Sequence, residues 1–194
     1  MFTALLDICV LWPSLQRDVL LSLAAEGLYR PAWNGVILAE LDYEQVAKLT
    51  RRGVARGDAG HRAAHLIEQM RQAFDDAEIT GWEGLEGIYG LPDPDDEHVV
   101  AAAVVAGAGA GAIITLNTKD FPGTLLPFGL ETLRPAEFAA NTVSLDPHRA
   151  LRAIGTIAGR TGTQGPARTV TELLDILVRR YGFDDAVDQL RSIQ

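Results

Sequence analysis

ALLDICVL, Ala4 to Leu11, is a short apolar run with β-branched members and one aspartate inside it. A continuous apolar run of this length reads as a strand buried on both faces, which is the habit of parallel sheets. Proline at position 13 opens a helical pattern that runs to about Gly27. A short connecting or strand segment at Arg30 to Trp33 follows, then a helix over Gly35 to Leu49. Asp58 to Phe74 is the clearest amphipathic helix, with Ala59, Ala63, Leu66, Ile67, Met70 and Phe74 in one stripe. Ala77 to Thr80 reads as a short strand, Asp96 to Ala106 as a helix apolar almost all round, and Ala112 to Leu116 as a second buried strand. Short apolar strands alternating with helices predict an α/β fold, a three-layer α/β/α sandwich around a central parallel sheet.

The rest of the chain is helical. Asp146 and Pro147 open one helix by cap and first-turn chemistry. GRTGTQGPAR, Gly159 to Arg168, reads as a linker. Thr169 and Glu172 form a capping box ahead of a stripe of Val170, Leu173, Leu174, Leu177 and Tyr181, Gly182 stops that helix, and Asp185 to Ile193 makes another. This divides the chain into a domain over residues 1–140 and a C-terminal helical extension over 145–194, whose apolar faces must pack on the domain, on a second copy or on a partner.

With 194 residues, 47% of them hydrophobic, the chain can build a real core. Its net charge of −9 argues against coating nucleic acid by bulk electrostatics. Cys9 is the only cysteine, which removes internal disulfides and cysteine zinc cages and reads as a small buried residue. No leader or membrane span is read, so a cytoplasmic protein is expected. Gly107 to Gly111 resembles a nucleotide loop but follows a helix and precedes a strand, the reverse of the dinucleotide order. His61 and His65 have zinc-like spacing but fall on the polar helix face. Arg17, Arg51, Arg52, Arg56, Arg62 and Arg71 make a locally basic region, either a track for an RNA backbone or a solvated face.

The acids are placed less comfortably. Asp7 lies inside an apolar run, where a lone carboxylate usually takes up a proton or finds a cation; the alternative is an aspartate at the strand end, hydrogen-bonded to loop amides. Glu40 has Val36, Ile37 and Tyr43 at helical spacing, which directs it toward the core side; the alternative is an edge glutamate at the core boundary. Asp93, Asp95 and Asp96 crowd the start of a buried helix; capping explains one of them, and Asp96 projects from the apolar face of Val99, Val100 and Ala103. Asn117 and Asp120 follow the strand AIITL beyond its carboxyl end, the edge where open α/β sheets bind ligands. A site shared by these four segments would need a cation to offset the repulsion, and oxygen-only donors select Mg²⁺ or Mn²⁺. Such a site suits phosphodiester hydrolysis.

LLDICVLWPS, ILAEL around Glu40, DPDDEHVVAAAVV and IITLNTKDFP, in this order, resemble the PIN-domain family, in particular the VapC-type toxin ribonucleases of bacterial toxin–antitoxin pairs. The resemblance covers about residues 1–140. It implies a metal-dependent endoribonuclease that cuts RNA such as tRNA or mRNA at a Mg²⁺ or Mn²⁺ site, is silenced by a cognate antitoxin, and forms a homodimer. It implies Asp7, Glu40 and Asp96 as catalytic metal ligands, with Asn117 or Asp120 completing the set. Ile8 stands where the family commonly has a small or hydroxyl residue, and Asn117 where it often has its last acid. The alternatives are a PIN-fold nuclease acting on DNA or another phosphoester, and a PIN-fold binding module without turnover.

Overall fold

The structure, a computed structural model, describes residues 1–107, 110–162 and 165–194. The glycine-rich turn expected at 107–111 and the linker expected at 159–168 therefore lie partly outside the described residues. Five parallel strands form one sheet in the order β3-β2-β1-β4-β5: β1 (Thr3–Leu6), β2 (Arg30–Asn34), β3 (Glu78–Ile79), β4 (Ala110–Ile114) and β5 (Glu131–Leu133). Every residue of β1 is buried, so helices cover both faces of the sheet centre. The α/β sandwich expected from the alternation of elements is the architecture found.

The first strand is shorter than the apolar run suggested. It ends at Leu6, and Ile8–Leu11 is a single helical turn, α1. The Asp7 amide still donates to the Ile114 carbonyl, but the Asp7 carbonyl turns back to accept from the Val10 and Leu11 amides. An unbroken apolar run is equally compatible with a buried strand and a buried helical turn, and here it contains both. Pro13 then starts α2 (Ser14–Ala25). The hairpin of α3 (Gly35–Arg51) and α4 (Arg56–Ala73) follows, with Ala59, Ala63, Ile67 and Met70 of the expected stripe buried.

α5 is Glu97–Val105, preceded by a 3-10 turn at Pro94–Asp96, and it packs across β2, β1 and β4. Seven of its residues, Glu97 to Ala103, are buried, as its nearly all-round apolar sequence requires.

Two elements had no sequence signal: β5, three residues paired to β4, and α6 (Pro135–Leu145). α7 (Pro147–Arg160) begins at Asp146, whose side chain accepts the Arg149 amide. α8 (Val170–Tyr181) carries the full capping box and ends at Gly182 in the left-handed region, at φ 68°. α9 is Asp184–Arg191. The tail finds its partner within the chain: α7 packs on α2, α9 packs on α6, and Ile154, Ile157, Leu174, Leu177 and Val187 join the same buried cluster as the sheet. α6 spans the junction between 1–140 and 145–194. No helix among the described residues is long and apolar enough to cross a membrane.

Candidate acidic site at the sheet edge

In this strand order the chain winds outward from β1 to β2 and β3 on one side, and β4 and β5 lie on the other. The switch point therefore falls between β1 and β4, where loops diverge and leave a crevice at the carboxyl ends of the strands. Asp7 leaves β1 and Thr115 leaves β4 at that crevice.

Asp7 is 4% exposed. Its Oδ2 accepts a 2.5 Å hydrogen bond from the Thr115 hydroxyl and a 3.0 Å bond from the Cys9 thiol. Cys9 Sγ in turn accepts the Leu116 amide at 3.1 Å, and Thr115 Oγ1 accepts the Asn117 amide at 3.0 Å. Burial, the neighbouring Asp7 charge and the hydrogen bond to it push the Cys9 thiol up to about 12, so Cys9 acts as a neutral donor and not as a nucleophile. Thr115 and Cys9 thus orient Asp7 and leave Oδ1 without a hydrogen bond among the described residues.

Asp96 sits half-buried at the end of the 3-10 turn, and its side chain caps nothing. Burial pushes its carboxyl up to about 6, and the charges of Asp7, Asp93, Asp120 and Glu40 add to the shift. Every charge that bears on Asp96 is a carboxylate from another position, and four chain segments are represented. Glu40 is raised as well, by burial first and then by Asp7 and Asp95.

The placement of Glu40 differs from expectation. Its residue is exposed, not turned to the core. Ile37, Leu38 and Leu41 take the buried face of α3, and Tyr43, expected on an apolar face with Glu40, is 72% exposed. Glu40 therefore reaches the cluster from the solvent side. Asp120 is half-buried at the end of the 3-10 turn Thr118–Asp120, whereas Asn117 is exposed.

Glu97 directly follows the crowded aspartates in the sequence, and the structure separates it from them. Glu97 is 3% exposed and accepts from the amides of Gly87, Tyr89 and Leu91, each at 3.0 Å. Burial alone would raise its carboxyl, but amide hydrogen bonds from Leu91, Tyr89, Gly90 and Gly87 outweigh that and hold it below the usual range. Glu97 is the anchor of the loop ahead of Asp96. One further residue escaped the sequence. Asn34 is fully buried, caps α3 by accepting the Ile37 amide, and donates to His98 on α5. Its only sequence signal was an N-cap residue before a helix.

The basic track is smaller in the structure than the sequence implies. Arg17 is buried, with its guanidinium on the Leu11 carbonyl at 2.9 Å, so it cannot guide a ligand. Arg71 is paired to Glu78 at 2.6 Å. Arg51, Arg52, Arg56 and Arg62 are exposed on the α3–α4 hairpin, as are His61 and His65.

A hard divalent cation takes oxygen ligands and offsets clustered carboxylates. The donor chemistry of Asp7, Glu40, Asp96 and Asp120 fits such an ion, because the charges bearing on Asp96 are all negative. The geometry is not drawn tight: among the described residues no three His, Cys, Asp or Glu side chains form a group that could hold a metal ion. Compared with protein-family models, with curated proteins and with solved structures, the chain matches none.

Proposed function

We propose that this chain is a metal-dependent endoribonuclease of PIN-like type, the toxin member of a toxin–antitoxin pair. The observation that carries the reading is a buried Asp7 and a half-buried Asp96 beside the switch point of a parallel sheet, with the Asp96 carboxyl raised by burial and by the negative charges of Asp7, Asp93, Asp120 and Glu40. Asp7 and Asp96 would hold a Mg²⁺ or Mn²⁺ ion, with Glu40 and Asp120 at the rim. When bound, such an ion polarises a phosphoryl oxygen and makes its bound water a nucleophile near neutral pH. The chain's own part is placement. Thr115 and Cys9 fix one Asp7 oxygen, the buried α5 follows Asp96, and Glu97 ties down the preceding loop through the amides of Gly87, Tyr89 and Leu91. The toxin and antitoxin parts of the reading rest on the resemblance of LLDICVLWPS, ILAEL, DPDDEHVVAAAVV and IITLNTKDFP to that family.

The test is cleavage of end-labelled single-stranded RNA with Mn²⁺ by the purified chain and by Asp7→Asn and Asp96→Asn. Each variant is expected to lose about a hundredfold or more. Undiminished cleavage by both sinks the assignment. A second reading, a binding module of the same fold without turnover, is favoured by the absence of a closed ligand group among the described residues. Calorimetry with Mn²⁺ separates the two, since a module without a metal site gives no binding heat.

A further inference from the structure

Lys48 is pinned where α1 gives way to α2. Its Nζ donates to the Ser14 hydroxyl at 2.8 Å and lies 5.3 Å from the centre of the Trp12 ring. Arg17 stands in the same turn of chain, with its guanidinium on the Leu11 carbonyl, and Arg52 is one helical turn beyond Lys48 at the end of α3. Among the described residues none of Arg17, Lys48 and Arg52 forms a salt bridge, and the first turn of α2 holds no acid. Burial and then the charges of Arg17 and Arg52 lower the Lys48 pKa, and Asp18 alone opposes them. In a chain of net charge −9, this is a local positive centre. The hydrogen-bonding groups agree with the charge. Lys48 has three N–H bonds to give, and Ser14, having accepted one of them, keeps its own O–H to donate. A surface of donors and cations complements a group made of acceptors, and a phosphate is such a group.

We infer that Lys48, with Ser14 and Arg52 beside it, anchors a backbone phosphate of the RNA strand whose scissile phosphodiester lies at Asp7 and Asp96. The inference rests on the proposed nuclease reading. Two elements tie the anchor to the acids. The single turn of α1 separates Asp7 from Trp12, and α3 carries Glu40 and then Lys48 two turns later, about 12 Å along the helix axis. A strand carries a phosphate every few ångströms, so the anchored phosphate lies a few nucleotides from the cut. The acids are the reason an anchor is needed. Glu40 and Glu44 precede Lys48 on α3 and repel a polyanion, so a strand that delivers one phosphate to a metal ion has to be held by cations at a distance from it. Arg17 is buried and adds its charge without touching the strand. Lys48 binds the strand and takes no part in the bond cleavage, which fixes its kinetic signature.

The test uses the full chain and an end-labelled ten-nucleotide RNA. Binding is read by fluorescence anisotropy across a range of salt with a chelator present, and steady-state cleavage is read with Mn²⁺. Lys48→Gln is expected to raise KM about fivefold with kcat within about twofold of wild type, and to lower the slope of log affinity against log salt by about one. Lys48→Arg should restore most of the affinity, because the contact is to charge. Arg52→Gln should act in the same direction as Lys48→Gln, and Glu44→Gln should tighten binding. Lys48→Gln with the wild-type KM and salt slope, while wild type cleaves RNA, overturns the anchor and leaves the nuclease reading standing, whatever its melting temperature. A ten-residue oligoglutamate that binds more tightly than the RNA, and loses more than the RNA does in Lys48→Gln, assigns the cations to an acidic protein segment and overturns the RNA occupant. A wild type that neither binds nor cleaves RNA overturns both.

Discussion

The Asn34 side-chain amide donates to both the ring Nδ1 and the backbone carbonyl of His98, each at 3.0 Å, while its oxygen accepts the Ile37 amide at 3.0 Å. One fully buried side chain therefore ties the start of α3, which carries Glu40, to the first turn of α5, which follows Asp96. The bond to Nδ1 requires that nitrogen to be an acceptor, which makes His98 the neutral tautomer protonated on Nε2. Burial lowers the His98 pKa in the same sense, against the opposing charges of Asp7, Glu86 and Asp95.

Asn34→Ala should cost about 2–4 kcal/mol, because it removes a helix cap and strands two buried acceptors and one donor. Urea unfolding measures the loss. If the bracket also positions the acids, RNA cleavage should fall further than the fraction of unfolded protein accounts for. A variant destabilised by less than about 1 kcal/mol contradicts the role given to Asn34.

Glu97→Ala should destabilise by about 3 kcal/mol, since three backbone amides lose a charged acceptor in a buried position. The wild-type contribution has a defined pH dependence. With the folded pKa held below the ordinary 4.5, the stabilisation is complete above 4.5 and is lost as pH falls through the folded value. Faster proteolysis within residues 84–91 is the expected companion of the mutation, and an unchanged digestion pattern argues against Glu97 as the loop's anchor.

Asp96 has the opposite sign. Its carboxyl rises from 3.8 to about 6 on folding, so between those values the folded chain binds the proton more tightly than the unfolded one. Stability from this group is therefore greatest below pH 4, falls as pH rises through the window, and is a constant penalty above about 6. Asp96→Asn should be more stable than wild type at pH 7.5, by about 1 kcal/mol once solvent screening is discounted. The advantage should vanish by about pH 4. Urea unfolding across this range checks it. An equal or lower stability at pH 7.5 means that the carboxylates do not press on Asp96.

These three residues also mark what could be read from the chain. The alternation of short apolar segments with helical periodicity carried the sheet, because strand burial and helix amphipathicity are written in neighbouring residues. The same locality explains the misses. β5 is three residues long, and its pairing with β4 is decided by a strand seventeen or more positions away. ALLDICVL did not announce where strand gave way to helix, because Asp7 performs that change with its carbonyl. Asp7 and Asp96 stood out because a carboxylate in apolar company is costly wherever it occurs. Asn34 and Thr115 did not, since their roles depend on partners 64 and 108 positions distant. Asp96 and Glu97 are adjacent and chemically alike, and only the fold turns one to the crevice and the other to loop amides.

Mn²⁺ should raise the unfolding temperature of the wild-type chain. The charges that converge on Asp96 repel one another, and an ion bound by the folded state alone stabilises it by mass action. At a concentration a hundredfold above its dissociation constant the gain is about 2.7 kcal/mol, or roughly 5–10 °C for a chain of this size. Protonation of Asp96 competes with the ion, so the shift should be full at pH 7.5 and decline as pH falls below about 6. Asp7→Asn and Asp96→Asn should lose most of it, while Glu97→Gln, whose carboxyl is committed to loop amides, should respond to Mn²⁺ as wild type does. Differential scanning fluorimetry with Mn²⁺ and with chelator reads all four proteins side by side. A wild type indifferent to millimolar Mn²⁺ at pH 7.5 removes the ion from the site and leaves the binding-module reading. A shift that survives in Asp7→Asn and Asp96→Asn moves the ion elsewhere on the surface.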